Sequence, residues 1–110
     1  MTPGSVSVAR VASMCGCPVP FVPRLAAHGL MPRVAADGSM RAAGVAEALR
    51  RRPWLNRLGT PVSDGETARL LGDGFDVPDD GVCMAGRRYA PLWRVLDHAW
   101  RAGTHQGVHG

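Results

Sequence analysis

The stretch SVSVARVASMCGCPVPFVPRLAAHGLMPRVAADGSMRAAGVAEALRRR, residues 5–52, decides the fold. From Val8 onward, the apolar positions Val8, Val11, Ala12 and Cys15 fall at the i, i+3, i+4, i+7 spacing of one helical stripe. Ser5 or Ser7 can cap the N-terminus and Gly16 can end the helix in a left-handed residue, so a helix is predicted over about 7–15. Val22, Leu25 and Ala26 mark a second helix ending near His28, ahead of Gly29, with its start at 20 or 22. Pro23 must lie in the first turn of that helix, where its missing amide leaves no hydrogen bond unmade. Asp37-Gly38, between segments containing Met31, Val34 and Met40, reads as the turn of a hairpin over about 31–41. Ala42, Val45, Ala46 and Leu49 give a third helical face, ending in Arg50–Arg52 before Pro53.

Working outward, the charge is unevenly shared. All thirteen basic residues are arginine. Eight of them precede residue 58, against only Asp37 and Glu47; the remaining five face seven acids in residues 58–110. A basic half joined to an acidic half points to a polyanion as the partner of the first half, with a merely solvated basic face as the alternative. No run reaches the roughly eighteen apolar residues of a membrane span, and the N-terminus lacks the pattern of a secretory signal, so the expected location is cytoplasmic.

The segments VARVASMCG, LAAHGLMPR, DGSMR and VAEAL, in that order, resemble the winged helix-turn-helix of the MerR and phage excisionase superfamily. The likeness rests on Ala12 with Gly16, Gly29-Leu30, Pro32-Arg33, Gly38 and Arg41, and covers about residues 6–50. The fold it implies is mainly α with a small β-hairpin wing. It further implies that the second helix enters the major groove of double-stranded DNA, while the wing tracks the backbone or the minor groove. Carried over by position, the DNA-binding residues are Phe21, Pro23 and Arg24 on the exposed first half of the second helix, with Arg33, Ser39 and Arg41 on the wing. The sequence departs from the family in two ways. Pro18, Pro20, Phe21 and Pro23 replace the usual hydrogen-bonding side chains at the start of the second helix, and no heptad follows Leu49 to make a dimerising coiled coil. The implied protein is an excisionase-type recombination factor or transcriptional regulator, a monomer when free, able to bind adjacent DNA sites and to meet a recombinase. A protein-interaction module on the same scaffold is the alternative.

Residues 1–52 are thus expected as the DNA-binding domain, with 1–4 untethered, and residues 53–103 as a helical extension. Trp54, Leu55 and Leu58 anchor its linker, and Ser63 with Glu66 forms a capping box for a helix ending at Gly72. A strand or hairpin is expected near Gly86, and the strongest helix carries Leu92, Val95, Leu96 and Ala99 up to Gly103. The segments ETARLLG and GRRYAPLWRVL echo the first half, but the preferred reading is an extension whose Trp93, Leu96 and Trp100 complete the core. Residues 104–110 are expected to be disordered. Cys15, Cys17 and Cys83 with His105 and His109 lack zinc-site spacing, and the acids Asp73, Asp76, Asp79 and Asp80 lack calcium-loop spacing. No catalytic motif assembles, so the expectation is a binding protein with no metal and no cofactor.

Overall fold

A computed structural model of the chain describes residues 4–103. The chain divides into two units, one ending at Arg57 and the other beginning at Leu58. The expected termini 1–3 and 104–110 lie outside the described residues.

In the first unit a short strand, β1 (Ser5–Ser7), leads directly into α1 (Val8–Cys15). The Ser7 hydroxyl accepts the Arg10 amide at 3.1 Å, satisfying one of the unpaired donors of the first turn. Gly16 ends the helix at φ 81°, a left-handed conformation costly for any residue with a Cβ, and returns its N–H to the Ala12 carbonyl at 2.8 Å. The stripe Val11, Ala12 and Cys15 is buried. After the turn, α2 (Phe21–Ala27) buries Phe21, Val22 and Leu25, with Pro23 in its first turn. β2 (Ser39–Arg41) and α3 (Ala42–Arg51) follow, then a 3₁₀ turn at Pro53–Arg57 that buries Leu55.

The expected hairpin over 31–41 does not form. β2 pairs antiparallel with β1 instead, in the register Ser5–Arg41, Val6–Met40, Ser7–Ser39. The physical reason lies in the turn. A two-residue hairpin loop of the type expected for Asp-Gly needs positive φ at both central residues, and here only Gly38 has it, at 81°. Asp37 spends its carboxylate on the Ser39 amide (3.0 Å) and hydroxyl (2.6 Å), and Ala35 and Gly38 close a local turn. Gly4, expected to be untethered, accepts the Ala42 amide through its carbonyl at 2.8 Å.

The second unit begins with β3 (Pro61–Val62) and α4 (Asp64–Leu71), and continues through a loop to β4 (Val82–Met84), β5 (Arg87–Pro91) and α5 (Leu92–Ala102). Its sheet has the order β3-β5-β4, antiparallel throughout. The hairpin that the sequence suggested near Gly86 is a true two-residue one: Ala85 (φ 51°) and Gly86 (φ 75°) both occupy the left-handed region between Met84 and Arg87. The chain is therefore a mixed α/β protein with five α-helices among the described residues, not a mainly α one with a helical tail.

The two units share a frame. Val6 pairs with Met40 as Val62 pairs with Ala90, and the Leu92 amide reaches the Thr60 carbonyl (3.1 Å) as Ala42 reaches Gly4. Ser7 and Ser63 are the N-cap residues, and Gly16 and Gly72 the C-caps, of helices of equal length. They differ in what joins the halves. Where the first unit has α2, the second has the acidic loop 73–81, which buries Phe75 and Val77. That loop is pinned to α4 twice: Asp64 Oδ1 accepts the Val77 amide at 2.8 Å, and Thr67 Oγ1 donates to the Asp64 carbonyl (2.8 Å), with the Phe75 carbonyl at 3.2 Å. α5 buries Leu92, Val95, Leu96, Ala99 and Trp100 along a single face.

Candidate nucleic-acid interface

The residues singled out from the sequence fall on three parts of the first unit. On α2, Pro23 is exposed and Arg24 half-exposed, with the Arg24 guanidinium 6.0 Å from the centre of the Phe21 ring. Phe21 itself is only 4% exposed, which corrects the expectation that it faces outward. A two-turn helix must bury its largest apolar side chains to persist, and here those are Phe21, Val22 and Leu25. The outward face of α2 therefore offers Pro23, Arg24 and Ala27, a surface poor in donors and acceptors.

Arg33 and Arg41 are both exposed, and neither has an ion-pair partner among the described residues. Arg33 follows Pro32 in a segment without strand pairing; Arg41 closes β2 opposite Ser5. The chain at the two meets around Gly44 in the first turn of α3. A Cβ built there would lie 2.7 Å from Pro32 Cγ and 3.8 Å from Arg41 Cβ. Gly44→Ala is accordingly expected to destabilise the protein. The clash with a rigid ring costs about 1–3 kcal/mol, more than the roughly 1 kcal/mol that alanine gains over glycine inside a helix. A lowered melting temperature in circular dichroism checks this; an unchanged or raised one refutes the close approach.

Ser39 is half-buried and engaged by Asp37 through both its amide and its hydroxyl. Those two hydrogen bonds, the hydroxyl's first, hold the Asp37 carboxyl below its ordinary range. A residue that sequence reasoning missed is Arg10. It is exposed on the first turn of α1, just after the Ser7 cap, and carries no ion pair among the described residues. Its signal was the imbalance of arginines over acids, which fixes a sign but not a position. Val8 N donates to the Gly38 carbonyl at 3.0 Å, so the start of α1 is tied to the 35–38 turn.

No group of three His, Cys, Asp or Glu side chains that could hold a metal occurs among the described residues; His105 and His109 lie outside them. Burial pushes the Cys15 thiol up to about 11, and burial together with the neighbouring Cys15 does the same for Cys17. Cys83 is exposed on β4. Since the thiolate is the nucleophile, iodoacetamide at mildly alkaline pH is expected to alkylate Cys83 well before Cys15 or Cys17. Peptide mass spectrometry over a time course checks the order, and prior labelling of Cys15 would contradict the burial.

Among the described residues no helix is long and apolar enough to cross a membrane. No family model, curated protein or solved structure matches the chain.

Proposed function

We propose that the first unit binds double-stranded DNA, chiefly through its phosphate backbone, and that the protein acts as a small regulatory or recombination accessory factor of excisionase type rather than as an enzyme. The observation that carries the reading is the state of the unit's charges. Its two acids are both occupied: Glu47 pairs with Arg50, and Asp37 accepts from Ser39. Arg10, Arg33, Arg41, Arg51 and Arg57 have no ion pair among the described residues. An excess of uncommitted guanidinium groups favours a ligand carrying repeated negative charge, and arginine suits phosphate by its planar fork of donors.

In this reading α2 faces the major groove, while Arg33 and Arg41 flank it and contact phosphates or a narrow minor groove. With Phe21 in the core and Pro23 without an amide, α2 has little with which to read base edges. Sequence choice then comes from DNA shape and deformability more than from hydrogen bonds to bases. Action beside a recombinase or at a promoter rests on the resemblance of residues 6–50 alone. One observation favours the alternative of a protein partner: Met14 and Val19, either side of the α1–α2 turn, are 45% and 47% exposed.

A mobility-shift titration of the full chain on duplex DNA at two salt concentrations tests the proposal. Binding that weakens sharply with salt, and weakens again on Arg24/Arg33/Arg41→Ala, is the expected result. Absence of binding to any duplex at low salt overturns it in favour of the protein partner.

A further inference from the structure

The sheet of the second unit ends on β4, which has a neighbouring strand on one side only among the described residues. All of β4 is exposed: Val82 to 64%, Met84 to 52%, and Cys83 between them. Natural edges are usually blunted by a charge, a proline or a bulge, because their free backbone groups pair with any strand that arrives. The opposite edge, β3, is a strand of two residues that begins with Pro61. β4 has no such device; its register is regular and its side chains are apolar.

The hairpin fixes which backbone groups β4 offers. Residues flanking a two-residue loop exchange both of their hydrogen bonds, here Met84 with Arg87, and the alternation repeats at Val82 with Tyr89. Cys83, opposite Arg88, therefore turns its N–H and C=O to the open side. This makes the strand complementary to itself. In an antiparallel pair of β4 strands centred on Cys83, the two Cys83 residues exchange both hydrogen bonds. Val82 of each copy then faces Met84 of the other at the closer sites, about 4.5 Å between Cα atoms. Val82, Met84 and Tyr89 share one face of the sheet, so the pairing merges two exposed apolar faces into one. Charge favours the same partner. Asp79 and Asp80 form the turn before β4, closed by the Gly81 amide on the Pro78 carbonyl at 3.0 Å. Arg87, beyond the far end of β4, has no ion pair among the described residues. Antiparallel pairing brings the acidic turn of each copy alongside the Arg87 end of the other. We propose that two copies of this chain associate through β4, across a two-fold axis at Cys83, joining their three-stranded sheets into one. An interface of this kind lies below the roughly 1,200 Å² of stable complexes, so the dimer is weak and reversible. It replaces the free monomer that the resemblance implies, and it is independent of DNA binding by the first unit.

The test is sedimentation velocity of the full chain over a wide concentration range, without DNA and with a reductant present to exclude disulfides. A reversible monomer–dimer equilibrium is expected, with the Cys83 amide exchanging its hydrogen more slowly as the dimer fills. Cys83→Ala keeps the backbone pairing and should dimerise like wild type. Cys83→Pro removes only the outward amide, since Cys83 donates nothing to β5, and proline is tolerated at that position of an edge strand. It should raise the dissociation constant about tenfold or more, because both reciprocal hydrogen bonds depend on that amide or its geometry. Val82→Lys/Met84→Lys, two exposed changes that leave the ladder to β5 intact, sets like charges directly opposite one another and should abolish the dimer. A chain that stays monomeric at every concentration overturns the proposal and leaves the edge to a strand of another protein. Dimerisation of the double-lysine variant at the wild-type constant, or of Cys83→Pro likewise, also overturns it, because the contact then lies elsewhere.

Discussion

Leu25→Ala is expected to lower the free energy of unfolding by about 2–5 kcal/mol, the range for emptying a buried leucine site. Leu25 is fully buried and sits in the middle of α2. A helix of this length has no stability of its own, because nucleation costs more than its few hydrogen bonds return. What holds α2 is the burial of Phe21, Val22 and Leu25, and the chain beyond is tied to the same residue: the Leu30 amide donates to the Leu25 carbonyl at 2.9 Å. The penalty combines the transfer free energy of the deleted carbons with the cost of the cavity, so Leu25→Met, which keeps the volume, should cost less than about 1.5 kcal/mol. Urea titrations of the two variants give both numbers. A Leu25→Ala effect below about 1 kcal/mol would mean that the site collapses freely and that α2 is not organised around this residue.

The second large effect is on binding. Replacing Arg24, Arg33 and Arg41 together with alanine is expected to weaken duplex binding about 10²-fold at low salt, taking roughly 1 kcal/mol for each guanidinium–phosphate interaction removed. Arg33 and Arg41 are exposed and have no ion pair among the described residues, so their removal leaves the fold's stability nearly unchanged. Arg24 is different, because its guanidinium lies 6.0 Å from the Phe21 ring centre. Its replacement costs up to about 1 kcal/mol of stability through the cation–π interaction and the packing of its stem. A thermal melt of the triple variant beside the binding titration separates the two effects. A weakened interaction in a protein that still melts near the wild-type temperature assigns the effect to the surface.

The helices were legible because each carries several turns' worth of one signal. In α1 the stripe Val8, Val11, Ala12, Cys15 and the stop at Gly16 agree, and the helix runs over Val8–Cys15. In α5 the stripe, Pro91 ahead of it and Gly103 behind it agree likewise. The strands were not legible for the converse reason. Ser5–Ser7 and Ser39–Arg41 are three residues each, too short for an alternating pattern, and their partnership joins segments far apart in sequence. Asp37-Gly38 looked like a hairpin turn because the residue types fit, but the carboxylate found a better use in capping Ser39. The tightest hairpin carries Ala85 at φ 51°, a residue that turn chemistry disfavours there, so its position rested on Gly86 alone.

The candidate site was legible to a different degree. Charge along the chain located the basic half, and the resemblance placed Arg24, Arg33 and Arg41 on it. Neither could tell which side of α2 faces inward, since Phe21 and Val22 are adjacent and both apolar; burial of both resolves it. Ser63 and Glu66 have capping-box spacing, yet the Ser63 side chain makes no capping bond in the structure.

The most direct measurement of the central claim is the dependence of duplex affinity on salt. Each phosphate contact contributes about −0.9 to the slope of log Kobs against log salt concentration. DNA binding through the arginines of the first unit predicts a steep negative slope for the wild type, and a slope shallower by roughly 2–3 for Arg24/Arg33/Arg41→Ala. Equal slopes for the two proteins, or wild-type binding that does not respond to salt, would contradict it.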